Sequence, residues 1–305
     1  MKLHFSYQTK LFTSLGLVYF IWGSTYLGVK YGIEVLPPLL LTSMRFLIGG
    51  TIFFGFTLLI GQPLPTKKQF WGASLIGFLL SGIGTGSVAY SIKYIPSGIV
   101  ALLVALMPFW TFVLDFIFFS RKAPSLLSGI GLVLGIVGIL FLMNPFESVG
   151  NAAIPVFPTL IVFVGSISWA LGTVISSKTE QPAPLQSTAL QMISGGAVAL
   201  IISLLAEENQ VEAIKSMNNT TYLALGYLII FGSFIGYSAY VWLINNAPPL
   251  LTSTYAYINP VVAMFLGWFF VGESFGKQSL MASAMILLAV MFMTIGRKKT
   301  GYEKN

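Results

Sequence analysis

The sequence predicts an all-α integral membrane protein, with ten transmembrane helices arranged as two inverted five-helix repeats. Three observations predict it. The first is composition: of 305 residues, 56% are hydrophobic and 8% charged, against roughly a quarter charged in a soluble domain. A water-facing fold of this size cannot hide that much apolar surface. The second is punctuation: apolar runs of about the 20 residues that cross a bilayer alternate with short polar loops. The third is an internal repeat.

The spans read in order as 11–32, 38–60, 69–91, 97–119, 125–143, 155–176, 185–206, 221–244, 250–271 and 278–296. Span 1 follows MKLHFSYQTK, which is too short and polar for a cleaved signal peptide, so the first apolar run is expected to stay in the membrane. Pro37-Pro38 open span 2, and Pro63 and Pro65 separate it from span 3. Span 3 carries Gly82-Ile83-Gly84-Thr85-Gly86 and ends before Pro96. Span 4 contains Pro108, and span 5 lies between Pro124 and Pro145. Span 6 ends ahead of Pro182 and Pro184, which open span 7. Glu207–Thr220 is the longest polar stretch and reads as a loop. Pro248-Pro249 precede span 9, which holds Pro260, and span 10 runs into a basic tail. The domain organisation is a cytoplasmic tail (1–10), a first repeat (11–144), a second repeat (155–296) and a second cytoplasmic tail (297–305).

Lys and Arg set the orientation. With the N-terminus cytoplasmic, Lys2, Lys10, Lys67, Lys68, Arg121, Lys122, Lys178 and the basic C-terminal cluster lie inside. Only Lys30, Lys93, Lys215 and Lys277 lie outside, where most of the acids also fall. Both termini inside demands an even number of spans. The repeat is seen in span 2, PLLLTSMRFLIGG (Pro38–Gly50), against span 7, PLQSTALQMISGG (Pro184–Gly196). Trp22 corresponds to Trp169, and Pro96 and Pro108 to Pro248 and Pro260. A unit of five spans means that the second copy enters the bilayer inverted, an architecture of secondary transporters with a site near the midplane.

The residue inventory excludes most other chemistry. There is no cysteine, the one histidine is His4 in the tail, and the one aspartate is Asp115. A thiolate nucleophile, a Ser-His-Asp triad, an aspartyl dyad and a His or Cys metal cluster cannot be assembled. No phosphate-binding GxxxxGK[ST] loop is present. The chain is therefore not expected to be an enzyme, nor to hold a cofactor or metal. Net charge is +7, but the basic residues are dispersed over short loops, which fits topology and anionic headgroups rather than nucleic acid.

The stretches Phe20–Gly50, Ala89–Trp110 and Tyr255–Phe275, the last with Gly272-Glu273, resemble the EamA family of the drug/metabolite transporter superfamily. The resemblance covers about the whole chain and is strongest to bacterial inner-membrane exporters of amino acids and metabolites. It implies ten helices, cytoplasmic termini and a central cavity lined mainly by spans 1, 3, 4, 6, 8 and 9. One departure stands out: the first repeat ends in Ser120-Arg121-Lys122 where many members carry Gly-Glu.

Candidate site residues follow from polar and aromatic groups at mid-span. Trp71, Trp242 and Trp268 lie near span ends and read as interfacial anchors. Trp22, Trp110 and Trp169 lie near span centres, where lipid cannot satisfy an indole N–H. Around them fall Ser24, Thr25 and Tyr26 in span 1, Tyr90 and Tyr94 in span 3, Tyr237 and Tyr240 in span 8, and Tyr255, Tyr257 and Asn259 in span 9. Interhelical hydrogen bonding is the plain alternative for each. The substrate-binding set is Trp22, Thr25, Tyr90, Trp110, Trp169, Tyr240, Tyr255 and Asn259, an aromatic wall with hydroxyl handles suited to amphipathic solutes. The gating or coupling set is Arg45, Asp115, Pro108 and Pro260. Arg45 lies about two turns into span 2, roughly 10 Å deep, and a structural or gating role is favoured there over substrate contact. The glycine pairs of spans 3, 5 and 8 read as close-packing positions, with room for substrate as a second reading at Gly84 and Gly86.

One deep cation disfavours phosphorylated substrates, which need several. The small multidrug resistance branch of the same superfamily uses a membrane-embedded Glu for proton antiport, and span 1 has no acid between Leu11 and Lys30, so the resemblance disfavours cation/proton exchange. The best fit is a secondary exporter of small neutral or zwitterionic metabolites such as amino acids, uncoupled or weakly proton-coupled. The alternatives are a proton-coupled drug efflux carrier, a channel or a receptor. The expected partners are a small-molecule metabolite and the lipid bilayer, with no nucleic acid, and the chain acting as a monomer or homodimer.

Overall fold

A computed structural model describes residues 6–120, 125–143, 155–176, 178–247 and 254–298. Every regular element among the described residues is helical. α1 is Tyr7–Gly32, starting earlier than the expected span because Ser6 caps it, its Oγ accepting from the Thr9 N–H at 3.1 Å. α2 is Pro38–Leu59 and α7 is Pro184–Ala206, each with proline in the first turn, where no N–H is needed. α5 is Leu126–Met143, α6 Val156–Ser176, α9 Tyr255–Val271 and α10 Lys277–Lys298. A short helix, Gln210–Lys215, covers the loop after α7.

Three helices depart from simple α geometry. α3 runs Lys67–Gly77, then a π-helical stretch Phe78–Thr85, then Gly86–Ile92. α8 repeats the pattern with Asn219–Tyr227, a π stretch Leu228–Ile235, and Gly236–Asn246. α4 breaks at Leu106 between Ser97–Ala105 and Met107–Asp115, then ends in a π turn, Phe116–Ser120. The break falls just before Pro108, whose ring disfavours helical geometry in the preceding turn. Pro260, by contrast, sits within α9.

Each expected span falls on a helix. Seven helices, α1 to α4 and α6 to α8, are long and apolar enough to cross a membrane. The other three carry shorter apolar stretches, Leu126–Gly138, Ile258–Val271 and Lys277–Met293. Large apolar side chains point outward along the helices, among them Leu59, Trp71, Leu126, Phe157, Leu205 and Phe269. A soluble monomer rarely exposes such a belt. The side chains of Pro108, Asp115 and Tyr257, and the loops bearing Arg121, Lys122, Pro145 and Pro248-Pro249, lie outside the described residues, as do most of the two tails.

Packing pairs helices that are far apart in sequence. α2 lies along α7, and α5 along α10. α1 packs on α8 and α9, and α6 on α3 and α4. The α2–α7 crossing is set by the Gly-Gly pairs of the repeat. A Cβ on Gly50 would meet the Ile193 backbone nitrogen at 2.9 Å, and one on Gly196 the Leu47 backbone nitrogen at 2.9 Å. Glycine is what lets the two backbones approach. The main core gathers Ile92 and Ile95 beside α3, Leu102, Leu103 and Leu106 of α4, and Ile286 and Val290 of α10.

Two carboxylates from distant loops close helix N-termini. Glu207 accepts from the N–H groups of Leu39 (2.8 Å) and Leu40 (3.0 Å) at the start of α2. Glu273 accepts from the Ser97 N–H (2.7 Å), the Ser97 hydroxyl (3.0 Å) and the Gly98 N–H (3.4 Å) at the start of α4. Both starts follow a proline that has no side-chain acceptor, so the carboxylates take the orphan donors at the positive end of the helix dipole. Gly272, at φ +68°, turns the chain out of α9 and presents Glu273.

Candidate functional site

Seven helices converge on one central cavity of ≈130 Å3. At about 30 Å3 per water, it holds roughly four waters. α1 contributes Trp22, Thr25, Tyr26 and Val29, one face of the helix at three- and four-residue spacing. α9 contributes Tyr255, Ala256, Asn259 and Pro260 on the same logic. Arg45 and Phe46 come from α2, Thr85 and Val88 from α3, and Trp169 from α6. Ala101, Val104, Ala105 and Met107 come from α4, and Tyr237 from α8.

An aromatic cluster forms the wall on the α1–α8–α9 side. The Trp22 ring lies 4.8 Å from Tyr240, 5.3 Å from Tyr255 and 5.4 Å from Tyr237, centroid to centroid. Tyr240 and Tyr255 meet edge to face at 5.5 Å. These separations are those of mutually attracting rings. Trp169 faces the cavity from the other half. Each of the two tryptophans rests on a glycine just after or within a π stretch. A Cβ on Gly236 would come within 2.6 Å of Trp22 Nε1, and one on Gly84 within 2.9 Å of Trp169 Cε3. Gly84 thus makes room for an indole rather than for substrate.

The π stretches leave carbonyls out of the α-helical ladder, and hydroxyls take them up. Ser168 of α6 donates to Leu79 O at 2.8 Å, Thr85 to Leu80 O at 3.3 Å, and Ser233 to Leu228 O at 3.1 Å. Such segments occur often at functional sites. Pro260 has no N–H to offer the Ala256 carbonyl one turn back, and both residues line the cavity. Asn259 ties α9 to α1 when its amide nitrogen donates to the carbonyls of Tyr255 and Tyr19, both at 3.2 Å. Tyr19 in turn bonds Thr254. Thr25, which lines the cavity, donates its hydroxyl to the Trp22 carbonyl at 2.6 Å, which leaves that oxygen only acceptor capacity.

The structure brings Trp22, Thr25, Trp169, Tyr255, Asn259, Arg45 and Pro260 to the lining of one cavity. Tyr240 backs that lining through Trp22 and Tyr255. Tyr90 is placed elsewhere, tilted against Tyr94 at 5.2 Å and edge to face with Phe157 at 6.4 Å. Trp110 packs between Phe109 and Phe163 at 4.8 and 6.1 Å, with its Nε1 buried and without a hydrogen-bond partner among the described residues. Tyr26, Tyr237, Thr85 and Phe46 join the lining without having been in the expected set. Tyr26 follows Trp22 by one helical turn, a spacing visible in the sequence, whereas Tyr237 and Thr85 reach the cavity beside π stretches that the sequence did not signal.

Fold and cavity define a helical membrane protein that encloses a small amphipathic space between two related halves. Residues 13–144 and 157–295 match the EamA-like transporter family, and the chain belongs to that family, one of transporters and not of enzymes. It is 38% identical over 288 residues, 94% of this chain and 91% of the relative, to the "Uncharacterized inner membrane transporter YedA" of Escherichia coli strain K12. It is 25% identical to the "Probable amino-acid metabolite efflux pump" of Salmonella typhimurium strain LT2, over 92% of both chains. A solved crystal structure shares the fold at TM-score 0.62 and 18% identity, covering 96% of this chain and 99% of that one.

Proposed function

We propose that this chain is a secondary transporter that exports small neutral or zwitterionic metabolites, such as amino acids, by alternating access through the central aromatic cavity. It works uncoupled or weakly proton-coupled, as a multi-pass protein of the inner membrane with both termini cytoplasmic. The observation that carries this reading is the cavity itself: a small central space with aromatic walls from both halves and, among the described residues, no Asp or Glu on its lining. A space without a carboxylate gives a proton no obvious place to couple.

The ten-helix, inverted two-repeat arrangement is supported by three features. Two successive stretches match the same family. α2–α7 and α5–α10 pair related elements. π stretches recur in α3 and α8, each with its Trp–Gly contact. The Salmonella relative, by its name, favours amino-acid metabolites, and the Escherichia coli relative favours the inner membrane.

Counterflow in proteoliposomes tests the proposal. Vesicles are preloaded with unlabelled neutral amino acids, and uptake of labelled ones is followed without a pH gradient. Transient accumulation above equilibrium is expected, because a carrier exchanges solutes through one site while a channel does not. Equilibration without overshoot, or no uptake by folded protein, overturns it.

A further inference from the structure

Arg45 is the only charged residue that lines the cavity among the described residues. It is buried, and its Nε donates to the Ser233 hydroxyl at 3.2 Å. Gly232 gives it a slot in the π stretch of α8: a Cβ there would meet Arg45 Nη2 at 2.9 Å and the Thr25 methyl at 3.0 Å. The guanidinium carbon also lies 4.9 Å from the centre of the Phe46 ring. One face of the guanidinium is thereby fixed. Its four other N–H donors have no hydrogen-bond partner among the described residues. The equivalent position in the second half is Gln191, which bonds Ser187 at 2.9 Å and adds no charge. The cavity is thus electrically lopsided, with one immobilised cation and no opposing carboxylate on its described wall.

A largely buried guanidinium with one of its five donors bonded leaves the other four to cavity water or to an anion, and an anion also compensates its charge. Its planar fork matches a carboxylate in two parallel hydrogen bonds. We infer that Arg45 binds the carboxylate of the transported solute, that the aromatic wall receives its apolar body, and that an ammonium group is dispensable. The recognised class is a monocarboxylate with an apolar tail, of which an α-amino acid is one case. This inference rests on the carrier reading and redraws its substrate class, from neutral or zwitterionic solutes to carboxylates with or without an ammonium. It also gives Arg45 substrate contact, beyond the gating role favoured from sequence.

The test is a binding panel on the purified full chain in lipid nanodiscs, read by isothermal titration calorimetry. The probes share one branched tail: L-leucine, 4-methylpentanoate, L-leucinamide and 3-methylbutylamine. The two acids are expected to bind within about tenfold of each other, and the amide and the amine about tenfold or more weaker than L-leucine. Arg45→Gln is expected to cost both acids about tenfold or more, with Arg45→Lys between it and the native chain. Leucinamide or 3-methylbutylamine binding as tightly as L-leucine overturns the inference, and so does Arg45→Gln that leaves acid binding unchanged. The native panel decides the matter if Arg45→Gln fails to fold. No binding by any probe, while counterflow proceeds with another solute, overturns the inference and leaves the carrier standing. Acid-selective binding without counterflow of any solute does the reverse.

Discussion

Trp22 and Trp169 occupy equivalent places, each with its indole over a glycine of the opposite half, Gly236 and Gly84. Trp71 has the same chemistry but faces outward and is 70% exposed. The three therefore separate a cavity role from a membrane-belt role. Trp22→Ala or Trp169→Ala is expected to lower the initial counterflow rate by about tenfold, the equivalent of about 1.4 kcal/mol of lost contact. Trp71→Ala should stay within about twofold at equal expression. Equal losses in all three would remove the cavity assignment. The glycine side of the contact is testable too. Gly236→Ala forces either the Trp22 ring or α8 to shift, and overpacking of this kind costs about 1–3 kcal/mol. A lowered unfolding temperature with altered Trp emission is expected, and an unchanged emission spectrum would argue that the ring does not rest there. The Trp22–Trp169 pair was legible in the sequence through the repeat. Trp110 was equally central along its span, yet its ring turns to Phe109 and Phe163. Position along a span fixes depth but not facing.

At the scale of elements, the helix starts are held by side chains far away in sequence. Glu273 gathers three donors at the start of α4, and α4 packs on α9 and α6 around the cavity. Removing an N-terminal acceptor costs about 0.5–2 kcal/mol. Glu273→Ala is expected to lower the thermal unfolding midpoint of the purified protein, and Glu273→Gln, which keeps one acceptor oxygen, to lower it less. Equal midpoints for Ala and the native chain would show that water caps the helix as well. The sequence marked Gly272-Glu273 as a pair but not its target, because the partners lie 175 and 176 residues away. The break in α4 falls just before Pro108, whereas Pro260 sits inside an unbroken α9, so a mid-span proline alone does not place a break. The π stretches of α3 and α8 were not legible, since they depend on hydroxyls such as Ser168 supplied by a neighbouring helix.

For the whole molecule, the proposed inverted repeat makes a topological prediction. The α2–α3 loop and the α7–α8 loop are related by the repeat and should open to opposite sides of the bilayer. The chain has no cysteine, so single introduced cysteines report unambiguously. Lys68, in the first turn of α3 beside the first of these loops, and Glu212, in the short helix of the second connection, are exposed. An impermeant maleimide on intact cells is expected to label Glu212→Cys, and Lys68→Cys only after lysis. The opposite pattern would reverse the orientation, and labelling of both from one side would break the inverted repeat.

The sequence by itself determined where the helices lie, how related stretches recur and which small residues sit at the α2–α7 crossing. Apolar length, proline and glycine act locally, and their effects survive without knowledge of neighbours. Only the tertiary structure decided which face of each helix meets the cavity. In a water-soluble helix, polarity marks the outward side. Here lipid and protein interior are both apolar, so the sequence carries little contrast between them. Packing turned Tyr26, Tyr237 and Arg45 inward, sent Tyr90 and Trp110 to other neighbours, and left one cation facing an aromatic space.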